Sequence, residues 1–181
     1  MKLSKPLPLK PLYRDNMTLS PAEENDMTHV FLMGKDAWGA EFQTEEYLDI
    51  CCASEKYRLG NWFILRGSSG APLSSAISYV IPGHNNSSWI GIGSLATEVN
   101  SRKKGYGLSC LSMLLEGYEK QQATTGFMLF QDVQTNIYRS AGFVAAESRG
   151  YKGAHPSLLL RINERNNQEA EYFLKNPPSY F

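Results

Sequence analysis

Leu108, Leu111, Leu115 and Tyr118 recur at spacings of three and four, and Leu114 widens the stripe. That spacing predicts an amphipathic helix over about 108–120. Its neighbours are short apolar runs of the kind that form buried strands: 62–65, 73–81 and 89–99 before it, 127–130 after it. Gly67-Ser68-Ser69-Gly70 and Pro82-Gly83-His84-Asn85-Asn86 punctuate the first three runs, so these are expected to pair as antiparallel hairpins. The strand, helix and strand spanning 89–130 imply a right-handed crossover, with 127–130 parallel to 89–99.

Other segments complete an α+β pattern. Ser20-Pro21-Ala22-Glu23-Glu24 reads as a helix start, with a capping serine, proline at the first helical position and acids in the first turn. A second helix is expected over 44–57, broken at Leu59-Gly60-Asn61. A short helix over 135–141 ends at Gly142, Phe143 begins another strand, and 157–162 is the last strand. Residues 164–174 read as a terminal helix stopped before Pro177-Pro178. Residues 1–12, with Pro6, Pro8 and Pro11, are expected to form an extended arm, and 13–181 a single domain without internal repeats.

Charge and composition narrow the function classes. Eighteen basic residues balance eighteen acidic ones over 181 positions, so no global field recruits nucleic acid or an anionic membrane. No apolar run approaches the roughly 20 residues of a bilayer span, and no apolar segment follows Met1-Lys2-Leu3-Ser4-Lys5, so neither a signal peptide nor an anchor is expected. Cys51, Cys52 and Cys110 lack zinc-ligand spacing and read as buried thiols of a reducing, cytoplasmic setting. His29, His84 and His155 show no metal-like spacing, and Trp38, Trp62 and Trp89 read as core. No metal is expected.

The segment between the 89–99 strand and the long helix carries the chemistry. Arg102-Lys103-Lys104-Gly105-Tyr106-Gly107-Leu108 places two glycines and three cations at a strand-to-helix turn. Free N–H groups and the positive end of the helix favour an anion there, and glycines let a diphosphate approach the backbone closely. The third glycine of a dinucleotide fingerprint is missing, and no Gly-Lys-Ser/Thr follows to make a nucleotide P-loop.

From 89 to 143 the chain resembles the GCN5-related N-acetyltransferase (GNAT) superfamily. Arg102-Lys103-Lys104-Gly105-Tyr106-Gly107 fits that family's acetyl-CoA motif of Arg or Gln, two residues, Gly, one residue, and Gly or Ala. Tyr138-Arg139-Ser140-Ala141-Gly142-Phe143 fits its later tyrosine and Gly-Phe landmark, one helix and one strand downstream. A narrower similarity, to fungal lysine N-acetyltransferases acting on free lysine, rests on Glu46-Tyr47-Leu48, Trp62-Phe63-Ile64-Leu65, Ile92-Gly93-Ser94 and Leu129-Phe130-Gln131-Asp132-Val133.

The resemblance implies a mixed, mostly antiparallel twisted sheet opened by a V-shaped splay and flanked by helices. It implies transfer of an acetyl group from acetyl-CoA, as cosubstrate, directly to a primary amine. A small molecule such as lysine is favoured over a protein amine. The diphosphate is assigned to backbone amides from Lys103 to Leu108, with the side chains of Arg102, Lys103 and Lys104 adding charge at the rim. The pantetheine arm is assigned to main-chain groups at Leu95, Thr97 and Val99. Tyr138 is expected to protonate the leaving thiolate.

The base stays unassigned, because the position that holds a glutamate in some family members is Gly91 here. Glu98, Ser94, Glu41, Glu45, Glu46 and His84 are weaker candidates, and in other members ordered water suffices. Asp132 reads first as a helix cap, and Gln131 replaces the asparagine usual before the tyrosine helix. The resemblance also allows a homodimer, with no interface identified. The rival class is a non-catalytic acyl-CoA-binding or regulatory module.

Overall fold

The computed structural model describes residues 3–83, 88–121, 124–133, 136–151, 154–163 and 171. The expected turn residues His84, Asn85 and Asn86, Thr135, and nearly all of the expected helix over 164–174 lie outside the described residues.

Strands β1 (Leu12–Arg14) and β2 (Met17–Pro21) form a hairpin turned by Asp15 and Asn16 at φ 46° and 61°, the left-handed pair of a tight two-residue turn. Ser20 and Pro21 therefore end a strand rather than start a helix, pairing with Ile64 and Phe63. The proline fits because β1 pairs no further than Leu19, so its missing N–H faces no partner strand. The helix begins later. Glu23 and Asp26 close a reciprocal capping box around a 3-10 turn, and α1 (Met27–Leu32) follows.

Next come α2 (Lys35–Trp38), α3 (Thr44–Ala53) and α4 (Glu55–Leu59). The single helix expected over 44–57 is broken at Ser54, whose backbone is extended (ψ 114°) and whose hydroxyl caps α4 by accepting from the Tyr57 N–H at 3.3 Å. β3 (Asn61–Arg66), β4 (Pro72–Pro82) and β5 (Ser88–Thr97) form the meander, and α5 (Tyr106–Gln121) follows. The chain closes with β6 (Gly126–Phe130), α6 (Ile137–Ser140), β7 (Val144–Ala145) and β8 (Leu158–Ile162).

The eight strands make one sheet in the order β1-β2-β3-β4-β5-β6-β8-β7. Every pairing is antiparallel except β5 with β6, which is parallel as the crossover requires. Strand alternation sorts the core into two layers. Phe63, Leu65, Ile90 and Ile92 pack with Leu111, Leu114, Leu115 and Tyr118 of α5. Trp62, Ile64, Ile77 and Tyr79 pack on the opposite face with Val30, Phe31, Tyr47 and Cys51 of the early helices. Cys110 is buried beside α5's core, whereas Cys52 is exposed, which corrects the expectation of three buried thiols. Among the described residues, no helix is long and apolar enough to cross a membrane.

The proline-rich arm is stitched to the domain. Ser4 bridges to Val80, the Pro6 carbonyl accepts from Asn61 Nδ2 at 2.9 Å, and Leu9 is only 6% exposed within the α5 layer. Leu9 and Leu12 approach so closely that a β-carbon at position 117 would lie 2.8 Å from each, so Gly117 leaves the room they occupy. Leu9→Ala is expected to lower stability by about 2–3 kcal/mol, as for a core leucine; the midpoint of urea unfolding checks this, and an unchanged midpoint would return the arm to the status of an appendage.

Candidate functional site

The site begins where the parallel ladder stops. β5 and β6 pair through Trp89 with Gly126, Ile90 with Phe127 and Gly91 with Met128, and no further, while β5 runs on to Thr97. The cause lies on β5's other edge. Ile77 faces Gly93 and Ser75 faces Ala96, so Ser94 and Leu95 together oppose the single residue Ala76. This is a β-bulge, and Ser94 adopts φ 44° to make it. The bulge bends the strand and reverses its facing. Ile90 and Ile92 point to the α5 layer, and beyond the bulge it is Leu95 that packs there while Ala96 joins the opposite layer.

The resulting V is a cleft of about 710 Å³. Its two ends belong to different layers of the molecule. Leu95, Tyr106, Ile137 and Tyr138 line it from the α5 side, and Trp38 and Tyr57 line it from the side of the early helices.

At the α5 end, Lys103 (φ 61°) and Gly105 (φ 86°) curl the chain so that α5 starts with its first N–H groups at the cleft. Gly107 is needed for close packing: a β-carbon there would sit 3.0 Å from Thr97 Oγ1 and 3.5 Å from Ile137. With no acid in α5's first turn, this concavity of backbone donors suits an anion.

Arg102 opens the turn but points elsewhere. Its guanidinium grips Asp36 with Nη1–Oδ2 2.5 Å and Nη2–Oδ1 2.8 Å, donates from Nε to the Thr97 carbonyl at 3.0 Å, and from Nη2 to the Met33 carbonyl at 3.3 Å. The guanidinium holds the Asp36 carboxyl below the usual carboxylate range. Arg102 thus ties the 33–38 segment, which carries Trp38, to the glycine turn. Lys104 Nζ donates to the Asn100 carbonyl at 2.9 Å, and Lys104 does not line the cleft.

Tyr138 stands on the opposite wall, on α6. Gly142 turns the chain, Phe143 is buried at 1% exposure, its N–H donates to the Tyr138 carbonyl at 3.0 Å, and its ring meets the Tyr138 ring edge-on at 6.4 Å. The Tyr…Gly-Phe spacing is thus an anchor and the side chain it orients. Burial, then the nearby Asp132 carboxylate, push the phenol up to about 12, so it stays protonated at neutral pH.

Of the residues expected at the site, Leu95, Thr97, Arg102, Lys103, Gly105, Tyr106, Gly107, Leu108 and Tyr138 line the cleft. Val99 does not: β5 ends at Thr97, and Val99 lies in a 3-10 turn started by Glu98, whose carboxylate accepts from the Val99 N–H at 3.1 Å. That carboxylate also meets His29 Nε2 at 2.9 Å. Glu98, Glu41, Glu45 and Glu46 stand outside the cleft lining, Ser94 is part of it, and His84 lies outside the described residues. Asp132 lines the cleft, and α6 is capped instead by Asn136, without a side-chain cap bond.

Sequence reasoning missed Lys56 and Tyr57, because a continuous helix over 44–57 gives them the register of its surface. Tyr57 stacks on Phe31 (5.7 Å, 18°), meets Trp62 edge-on at 5.1 Å, and its hydroxyl accepts from Ser94 Oγ at 3.4 Å. No group of side chains suited to a metal ion occurs among the described residues.

No family model and no curated protein matches the sequence. Solved structures do match the fold. A GNAT family acetyltransferase from Brucella melitensis, in complex with acetyl-CoA, superposes with a TM-score of 0.56 at 17% identity over 81% of this chain and 87% of its own. Arabidopsis thaliana Naa50, in complex with the bisubstrate analogue CoA-Ac-MVNAL, gives 0.54 at 15% identity over 82% and 100%. Arabidopsis thaliana glucosamine-6-phosphate N-acetyltransferase gives 0.51 at 14% identity over 72% and 92%. The chain has the GNAT acetyltransferase fold.

Arg102→Met and Asp36→Asn are expected to be non-additive in a double-mutant cycle on stability. The coupling should be about 0.5–1 kcal/mol and shrink in high salt, since the side chains are 38% and 52% exposed. Zero coupling would remove the tether.

Proposed function

We propose that the protein is an N-acetyltransferase that moves the acetyl group of acetyl-CoA to a primary amine, with a small amine such as lysine as acceptor. One observation carries the reading: the parallel ladder ends at Gly91, the glycine turn meets the opened strand, and Tyr138 faces it from α6. The residues fit the cosubstrate. The backbone donors at Lys103–Leu108 suit a diphosphate, and the freed edge at Leu95 suits the amides of a pantetheine arm, as a sheet edge suits a peptide. Gly107 lets the turn pack close to Thr97, where a β-carbon would lie 3.0 Å from Oγ1.

Bound acetyl-CoA would supply the thioester. The acceptor nitrogen, as free amine, forms the C–N bond at the thioester carbon as the C–S bond breaks. Tyr138 gives its phenolic proton to the departing sulfur, and the nitrogen's surplus proton passes to water. At pH 7 only about one part in 2,500 of a primary amine with a pKa near 10.4 is neutral, a deficit of roughly 4.6 kcal/mol. A closed, oriented site offsets part of it. The backbone N–H groups near the bulge suit the carbonyl oxygen as its charge grows.

Thiol release from acetyl-CoA against lysine, polyamines, aminoglycosides and short peptides tests the reaction, with calorimetry for CoA alongside. Turnover with a small amine supports the reading. Turnover with peptides alone moves the acceptor to proteins, CoA binding without turnover makes the protein a binding module, and no CoA binding overturns the reading. Tyr138→Phe is expected to lower kcat about a hundredfold or more with CoA affinity unchanged.

The rate should also climb with pH as the amine loses its proton. Tyr138 is the proton donor only below its own value of about 12, so no descending limb is expected before about pH 11. A fall of kcat near pH 9 would remove Tyr138 from the role.

A further inference from the structure

None of residues 3–12 lines the cleft, and acetyl transfer gives them no role. Their backbone is nevertheless tightly constrained. Pro6, Pro8 and Pro11 fix φ at about −65°, and Lys5, Leu7 and Lys10, each preceding a proline, are pushed out of the helical region. No residue from 5 to 11 belongs to a helix or a strand. Burial instead repeats every third position. Pro6 and Leu9 are buried, Leu3 and Leu12 half-buried, and every residue between them is exposed. Three residues per turn is the repeat of a polyproline II helix.

Such a helix has three ridges. The ridge of Pro6, Leu9 and Leu12 faces the domain, where Leu9 and Leu12 close over Gly117 of α5 and the Pro6 carbonyl is held by Asn61. The other two ridges face outward. One carries Lys5, Pro8 and Pro11; the other carries Leu7, which is 61% exposed, and Lys10.

We propose that these two outward ridges are a docking surface for a protein module that binds polyproline II segments, through a groove lined by aromatic side chains with an acidic lip.

A groove can embrace two adjacent ridges of a three-sided rod, and the third must then point away. Here the third is the one already packed on the domain. Leu7-Pro8 and Lys10-Pro11 stand one turn apart, each setting a proline ring beside a leucine or the aliphatic stem of a lysine, so two neighbouring apolar pockets suit them. Lys5 lies one turn before Pro8 on the same ridge and supplies the charge for the lip. Residues 1–14 hold Lys2, Lys5, Lys10 and Arg14 and no acid, so a chain of zero net charge keeps its arm positive. Arg14 is paired with Glu116, whereas Lys5 and Lys10 have no ion pair among the described residues. The arm is also held in the conformation a groove would select, which removes most of the ordering cost a loose tail would carry. Attachment to the domain accounts for the inward ridge. It does not account for an exposed leucine between two prolines, flanked by two lysines.

Purified SH3 domains with acidic residues beside the groove are the probe, titrated by calorimetry into the full-length chain. At least one is expected to bind with one-to-one stoichiometry. Pro8→Ala and Pro11→Ala should each weaken it about tenfold. Lys5→Glu should do the same, Lys5→Arg should retain binding, and the Lys5 effect should shrink in high salt. An unchanged thermal midpoint shows that the arm stays attached, and the two Lys5 variants leave the prolines in place. Failure of the whole set to bind overturns the proposal, as does binding that survives both proline variants. Binding gained only when Leu9→Ala loosens the arm overturns it too, because the attached arm is then occluded. So does Lys5-dependent binding to phosphatidylserine vesicles with none to the domains. Thiol release plays no part in this readout, so the proposal stands or falls apart from acetyl transfer.

Discussion

The extra residue in β5 governs the rest of the molecule. A strand in perfect register would carry its ladder with β6 to the end and leave a closed sheet. Ser94 and Leu95 opposing one Ala76 bend the strand instead, and the parallel pairing stops after Gly91. Backbone groups that a sheet normally satisfies internally become available. The same bulge turns Leu95 to one layer and Ala96 to the other, so the opening joins the two faces of the sheet. Ser94 holds a left-handed conformation uncommon for a residue with a side chain, and strain of this kind persists where surrounding structure fixes it. Tyr57, wedged between Phe31 and Trp62 with its hydroxyl against Ser94, supplies part of that fixation.

Around this opening, side chains that are cations in the sequence do unlike work. Arg102 builds the wall, bracing the 33–38 segment through a bidentate pair and two carbonyls. Lys104 closes onto Asn100. An anion at the turn would then meet chiefly backbone donors, which carry direction but no net charge, with Lys103 beside them at the cleft.

Much of the architecture was legible because period and punctuation agree. The leucine stripe of α5, the three meander strands and the run at β6 each occur within about two residues of expectation, and together they give the crossover. The glycine turn and Tyr138 were legible because their spacing encodes backbone geometry. Three features were not. Asp15-Asn16 is a tight-turn signal, but its flanking strands of three and five residues are too short to show alternation. Ser54 looks like any polar helical residue until its hydroxyl is seen capping α4. The bulge leaves no mark in composition, and so the contribution of α4 to the cleft was hidden too. Lys56 and Asp132 are 76 positions apart in sequence, and only the V brings them to one space.

The sheet's two margins have a consequence for association. One margin is β1, three residues long, and the other is β7, with two. Open strand edges invite another chain to extend the ladder, and brevity removes the template they would offer. A second copy docking by strand addition would find only a few backbone partners at either margin. The edges of the sheet act as stops, and among the described residues the opening of the V presents unpaired β backbone in the interior, where β5 runs past its pairing with β6.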